Sequence, residues 1–138
     1  MDVNTLQQHL SALATVTETG APVVSCYLNL ERGPLSYRRA VDARMELLGR
    51  SLPEAQRKLV VAAMEPIEAW LRAISGNGTK GVALFSRAGD QPFFLPLAFR
   101  VPLPSWISVD STPNIYHLVE LKDNYDRYVV LFATEGVS

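Results

Sequence analysis

Lys80-Gly81-Val82-Ala83-Leu84-Phe85-Ser86 runs into the turn residues Arg87-Ala88-Gly89-Asp90 and then into Gln91-Pro92-Phe93-Phe94-Leu95-Pro96-Leu97-Ala98-Phe99-Arg100-Val101. Residues 80–86 are apolar at odd and even positions alike, the pattern of an interior strand covered on both faces. In the returning segment Phe93, Leu95, Leu97, Phe99 and Val101 alternate with Phe94, Pro96, Ala98 and Arg100, so the pair reads as a β-hairpin. Pro96 has no N–H to give to a ladder, which predicts an edge strand or a bulge, and Pro102 and Pro104 limit the strand's extent.

Working outward, Val24, Cys26, Leu28 and Leu30 alternate in a strand that follows the break at Gly20-Ala21-Pro22, and their face is expected to be core. Before it, Leu6, Leu10 and Leu13 mark an amphipathic helix over residues 4–16, with Asn4 and Gln7 as a capping pair. After Gly33-Pro34, the residues Tyr37, Val41, Met45, Leu48 and Leu52 fall on one helical stripe with Arg39, Glu46 and Arg50 opposite. Ser51-Leu52-Pro53-Glu54 reads as a fresh capping box, and Leu59, Ala63, Ile67, Trp70 and Ile74 continue a second apolar face, so the two helices form a hairpin. Pro66 lies inside the later helix, where a missing donor and a clash with the carbonyl of Ala62 predict a kink. Residues 106–109 suggest a short strand. Thr112-Pro113 suggests a helix start, with Ile115, Leu118, Val119 and Tyr125 as its buried stripe, and residues 128–134 a final strand. The expected fold is α+β: a single-layer, mostly antiparallel β-sheet packed by a helical hairpin and two further helices.

Length and composition narrow the function classes. At 138 residues, with 48% hydrophobic and 20% charged residues, the chain fits one globular domain and not a disordered or coiled-coil segment. The net charge of −1 argues against a generally basic nucleic-acid binder while leaving room for a local basic patch. Cys26 is the single cysteine, so no intrachain disulfide forms, and no Cys/His set has the spacing of a zinc site. Neither a signal-peptide pattern nor an apolar run approaching the ~20 residues of a membrane-spanning helix is present. The expectation is a cytoplasmic protein without a membrane partner.

Residues able to carry chemistry are few. His9 and His117 stand apart, and each fits a packing or surface role better than a catalytic one. Cys26 is expected to point into the core as a small hydrophobe. Tyr27, Tyr37 and Arg44 would be the lining of a small-molecule cleft, although burial suits the two tyrosines better. Gly76-Asn77-Gly78-Thr79-Lys80-Gly81 has a phosphate-loop composition but follows a helix and leads into a strand, whereas a phosphate cradle needs the reverse order. No paired carboxylates, activated nucleophile or metal cluster is legible. Hence no enzyme activity, catalytic residue, cofactor or metal is expected.

Charge distribution is more informative. Residues 32–58 hold seven basic groups (Arg32, Arg38, Arg39, Arg44, Arg50, Arg57, Lys58) against three acidic ones (Asp42, Glu46, Glu54), a local charge of +4. The remainder, with six basic and eleven acidic groups, carries −5. Ten of the 13 basic residues in the whole chain are arginine, the side chain suited to bidentate phosphate contacts. One reading is an RNA-phosphate-binding face made by Arg38, Arg39, Arg50, Arg57 and Lys58, with Arg39 and Arg50 foremost because both project opposite the apolar stripe. The other is a solvated helix face held by intrahelical pairs such as Arg38–Asp42.

The order of pieces resembles the N-terminal domain of the archaeo-eukaryotic class-one release factor and Pelota group, in particular its bacterial release-factor-like members. The resemblance is carried by the leading helix, the strand Val23-Val24-Ser25-Cys26-Tyr27-Leu28, the helical hairpin over 37–75, and Gly81-Val82-Ala83-Leu84-Phe85-Ser86 with its returning strand. The segment Pro113–Tyr128, with Asn124-Tyr125-Asp126-Arg127-Tyr128-Val129-Val130-Leu131 at its end, resembles that group's passage into a central domain. It implies a single domain over 1–138, with 128–134 resembling the first strand of a missing central domain.

The family's stop-codon-reading members carry Asn-Ile-Lys-Ser between the hairpin helices and Tyr-x-Cys-x-x-x-Phe farther on. Here the inter-helix turn is Gly49-Arg50-Ser51-Leu52-Pro53-Glu54, and neither motif is present. Gly89-Asp90-Gln91 falls in the hairpin turn and is no Gly-Gly-Gln loop. The implied function is a noncatalytic domain associated with the ribosome or tRNA, without stop-codon reading or peptide release. The alternative, which the near-neutral total charge favours, is a protein-interaction or self-association domain with no nucleic-acid partner. An apolar strand left unpaired invites aggregation, so 128–134 is expected either to complete this sheet or to mediate a homodimer.

Overall fold

The computed structural model describes residues 3–74, 78–124 and 132–134. Its elements are α1 (Val3–Ala14), β1 (Val23–Asn29), α2 (Pro34–Ser51), α3 (Glu54–Ala73), β2 (Gly81–Arg87), β3 (Phe93–Phe99), β4 (Trp106–Asp110), α4 (Tyr116–Asp123) and β5 (Phe132–Thr134). The strands form one sheet in the order β4-β1-β2-β3-β5. Every pairing is antiparallel, from Val23↔Arg87 between β1 and β2 to Phe99↔Phe132 between β3 and β5. The α+β reading therefore holds.

The apolar character of β2 at every position has a direct structural cause. The strand is central, all seven residues are buried, and helices cover both faces of the sheet. On one face Val24, Cys26, Leu28, Val82, Leu84, Ala98 and Ile107 pack under Tyr37 and Val41 of α2 and Val60, Ala63, Met64, Ile67 and Leu71 of α3. On the other, Tyr27, Ala83, Phe85, Leu97 and Phe99 pack under Leu6, Leu10 and Leu13 of α1 and Leu118 and Leu121 of α4. The two-residue alternation read in β1 and β3 thus separates two cores, because successive side chains leave opposite faces of a strand.

The hairpin of α2 and α3 crosses from the end of β1 to the start of β2, an up-down excursion that returns the chain antiparallel. Between β3 and β4 the chain must pass the end of the sheet. It does so over Gly81, where a Cβ would lie 2.6 Å from the Val101 carbonyl oxygen and 2.8 Å from the Leu103 nitrogen. Only a residue without a side chain admits that approach.

Several local expectations are corrected. Asn4 lies inside α1, which runs from Val3 to Ala14, and Gln7 donates along the helix to Ser11 Oγ, so the two are not a cap. Ser51 does not open α3. Its hydroxyl donates back to the Leu48 carbonyl at 3.1 Å and closes α2, while Pro53 occupies the cap of α3 without a side-chain bond. The buried stripe of α3 is Val60, Ala63, Met64, Ile67 and Leu71, so Leu59, Trp70 and Ile74 flank it. Helix α4 begins at Tyr116, after Asn114 Oδ1 accepts from the Tyr116 N–H, and buries Leu118 and Leu121 while Val119 is exposed. Tyr125 lies outside the described residues. The β2–β3 register is unbroken through Leu84↔Pro96, so Pro96 makes no bulge, and it stands just beyond the three residues of β3 that pair with β5. Of the strand expected over 128–134, residues 132–134 add to this chain's own sheet, and 128–131 lie outside the described residues.

Candidate nucleic-acid interface

Gly33, at φ 89, turns the chain into α2 in a conformation that disfavours other residues, and Pro34 starts the helix where its missing N–H costs nothing. From there helical phase sorts the basic residues. At about 100° per residue, Arg39 and Arg50 fall within about 20° of one another, directly across from the buried Tyr37–Val41 stripe, whereas Arg38 lies about 100° from Arg39. Arg38 lines a cleft of about 190 Å³ between α2 and α3, with Val41, Asp42, Glu68, Leu71 and Arg72. The structure therefore does not place Arg38 with Arg39 and Arg50.

Local partners differ among the five candidate residues, all of them exposed. Arg50 pairs with Glu46 at 2.7 Å, an i,i+4 contact between two exposed side chains worth a few tenths of a kcal/mol, roughly. The Arg38–Asp42 pair expected from spacing is not made within ion-pair distance. Arg57 donates Nη2 to the Leu52 carbonyl at 3.1 Å, which ties it to the inter-helix turn. Arg39, Arg38 and Lys58 make no ion pair among the described residues. Arg57 and Lys58 lie in the first turns of α3, where the helix dipole adds positive potential to their own.

Between α2 and the edge strand β4 runs a second groove of about 240 Å³, lined by Leu28, Ala40, Ala43, Arg44, Leu47, Ser105, Trp106 and Ile107. Arg44 Nε donates to the Ile107 carbonyl at 2.9 Å, and its guanidinium carbon sits 4.4 Å from the centre of the Trp106 ring. Arg44 thereby occupies an acceptor of an edge strand that would otherwise be open to pairing. Trp106 stays 45% exposed and Leu47 56%. The sequence alone shows no row of exposed aromatics, and Trp106 escapes notice because only the β1–β4 pairing, Tyr27↔Trp106, brings it to α2.

The remaining candidates resolve into packing. Tyr27 and Tyr37 are buried on opposite faces of the sheet, so they and Arg44 do not line one cleft. The Tyr27 hydroxyl donates to the Asn114 carbonyl, while Ser25 Oγ accepts from the Asn114 N–H at 2.9 Å, and burial raises the Tyr27 phenol above its ordinary range. Cys26 is fully buried, and desolvation pushes its thiol up to about 12, which leaves it protonated and unreactive at neutral pH. Burial lowers the His9 pKa. His117 packs edge-on against Tyr27 at 4.9 Å, and its Nδ1 has no hydrogen-bond partner among the described residues. Residues 78–80 do join the end of α3 to β2, the order unsuited to a phosphate cradle, with 76 and 77 outside the described residues.

One basic residue outside the predicted patch proves structural. Arg87 is buried at the end of β2, where Nε and Nη2 both donate to the Gln91 carbonyl and Nη1 donates to the Thr17 carbonyl, all within 3.0 Å. It closes the β2–β3 turn, and Gln91 serves there through its backbone at φ 51.

Among the described residues no group of three or more His, Cys, Asp or Glu is placed to hold a metal ion, and no helix is long and apolar enough to cross a membrane. Neither protein-family models nor curated proteins gave a match to the chain.

Proposed function

We propose that this chain is a noncatalytic, ribosome- or tRNA-associated domain of the bacterial release-factor-like kind, docking on RNA phosphates through the exposed arginines of α2 and the first turns of α3. The single observation that carries the reading is the state of the charge. Arg39 and Lys58 project into solvent without an acidic partner among the described residues, and Arg50 has only an exposed, solvent-screened one. Uncompensated arginines opposite a buried stripe cost the fold nothing to present and supply the salt-sensitive attraction that phosphate binding requires. The order helix, strand, helical hairpin, β-hairpin, found in the structure as in the sequence, supports the family resemblance on which the choice of RNA rests.

The test is co-sedimentation of the purified protein with bacterial ribosomes at low and at moderate salt. Binding at low salt that weakens steeply as salt rises is the expected result, since each neutralised phosphate releases counterions. Absence of binding at both salts removes the RNA reading and puts a protein-interaction domain in its place.

A further inference from the structure

Strand β4 is an edge of the sheet, and among the described residues no strand pairs with its outer side. Natural edges are commonly blunted by proline, lysine or a bulge, and Trp106-Ile107-Ser108-Val109-Asp110 has none of these. Its two ends differ in charge. At the first, the Arg44 guanidinium carbon lies 4.4 Å from the centre of the Trp106 ring, and at the last stands the exposed carboxylate of Asp110. Neither Arg44 nor Asp110 makes an ion pair among the described residues. At the middle, Ser108 Oγ is buried without a hydrogen-bond partner among the described residues, which costs stability until a partner is supplied. Two identical strands that pair antiparallel about a two-fold axis need this end-to-end complementarity. Only the register centred on Ser108 pairs all five residues with all five. It sets Ser108 against itself, Ile107 against Val109, and Trp106, with Arg44 beside it, against Asp110. A hydroxyl both donates and accepts, so each Ser108 can serve its twin. The Ile107 carbonyl accepts from Arg44 and keeps a second lone pair for a neighbouring strand.

We propose that β4 pairs antiparallel with β4 of a second copy of this chain, about a two-fold axis at Ser108, joining two five-stranded sheets into one. Arg44 of each copy meets Asp110 of the partner subunit. The axis stands perpendicular to the sheet, so both α2 helices come to the same face, and the apolar grooves that Ala40, Ala43 and the exposed Leu47 line beside β4 are brought together. This inference stands apart from the RNA reading, because Arg39 and Arg50 face outward and take no part in it.

Sedimentation velocity of the unaltered protein over a range of concentration should show a monomer–dimer equilibrium. Asp110→Arg and Arg44→Glu, each alone, should weaken association by about tenfold or more, since like charges then meet at both ends. An equimolar mixture of the two variants should associate as the unaltered protein does, because every contact between positions 44 and 110 again joins opposite charges. Cross-linking under mild oxidation reads the register. Residues directly opposite in an antiparallel pair have Cα atoms about 4.5–5.5 Å apart, within disulfide range, so Ser108→Cys should give a covalent dimer. Asp110→Cys, whose twin lies four residues farther along the partner strand, should not. Native Cys26 is fully buried and stays out of the reaction. Thermal melting checks the fold of each variant, and Ser108→Cys, a change of one atom, carries the test should a charge variant unfold. A monomer at every concentration, a dimer indifferent to both charge variants, or cross-linking of Asp110→Cys in preference to Ser108→Cys overturns the proposal and leaves ribosome binding to be judged separately.

Discussion

The two flanks of α2 bear the same kind of side chain and differ in what surrounds it. Toward α3, Arg38 shares its cleft with Asp42, Glu68 and Arg72, two cations against two carboxylates. Toward β4, Arg44 stands against an exposed indole, and between the two flanks Arg39 and Arg50 face outward with a single carboxylate, Glu46, among them. A local charge of +4 over residues 32–58 is a property of the sequence, but its field is set by helical phase, which balances charge on the α3 flank and accumulates it on the outward face. The comparison teaches that an arginine-rich helix is better described by flank than by segment. Arg38 belongs with the self-neutralising side, and Arg39 and Arg50 with the side able to meet an anion.

Breaking the cationic outward face has the largest expected effect. Arg39→Ala/Arg50→Ala should lower low-salt affinity for ribosomes by about tenfold or more with melting temperature unchanged, because both side chains are exposed and phosphate contacts dominate such binding. Arg44→Ala acts on the β4 flank, through structure. Losing the charged hydrogen bond to Ile107 and the indole contact should cost about 1–2 kcal/mol in urea unfolding, and it frees an acceptor on the edge of β4. Glu46→Gln sharpens the comparison in the opposite direction. It releases Arg50 and removes the outward face's one carboxylate, so affinity at low salt should rise about twofold, an effect that fades as salt screens it.

Much of the scaffold was legible in the sequence for one reason: burial imposes a period. The residues at 80–86 announce a strand covered on both sides, and Tyr37, Val41, Leu48 and Leu52 announce the inner stripe of α2, which in turn predicts that Arg39 and Arg50 face outward. What escaped depends on contacts distant in sequence or on competition among local caps. Nothing local says that β4 pairs with β1, so the meeting of Arg44 with Trp106 is invisible until the sheet is assembled. Ser51 can serve the helix before it or the helix after it, and the free Leu48 carbonyl takes it. The buried role of Arg87 was hidden because arginine in a turn ordinarily reads as solvent-exposed, whereas three donated bonds to two carbonyls satisfy it here. The separation of Arg38 from Arg39 follows from helical phase alone, since adjacent residues of a helix lie about 100° apart.

The most direct test sets the outward face of α2 against its α3 flank in one titration. Ribosome co-sedimentation is followed over a range of salt for the unaltered protein, for Arg39→Ala/Arg50→Ala and for Arg38→Ala. Two lost phosphate contacts should flatten the log–log salt slope by about 1.4 to 1.8, at about 0.7 to 0.9 per contact, and Arg38→Ala should leave it within error. A slope that flattens with Arg38→Ala and stays unchanged in the double variant would place the interface on the α3 side and contradict the assignment made to the outward face of α2.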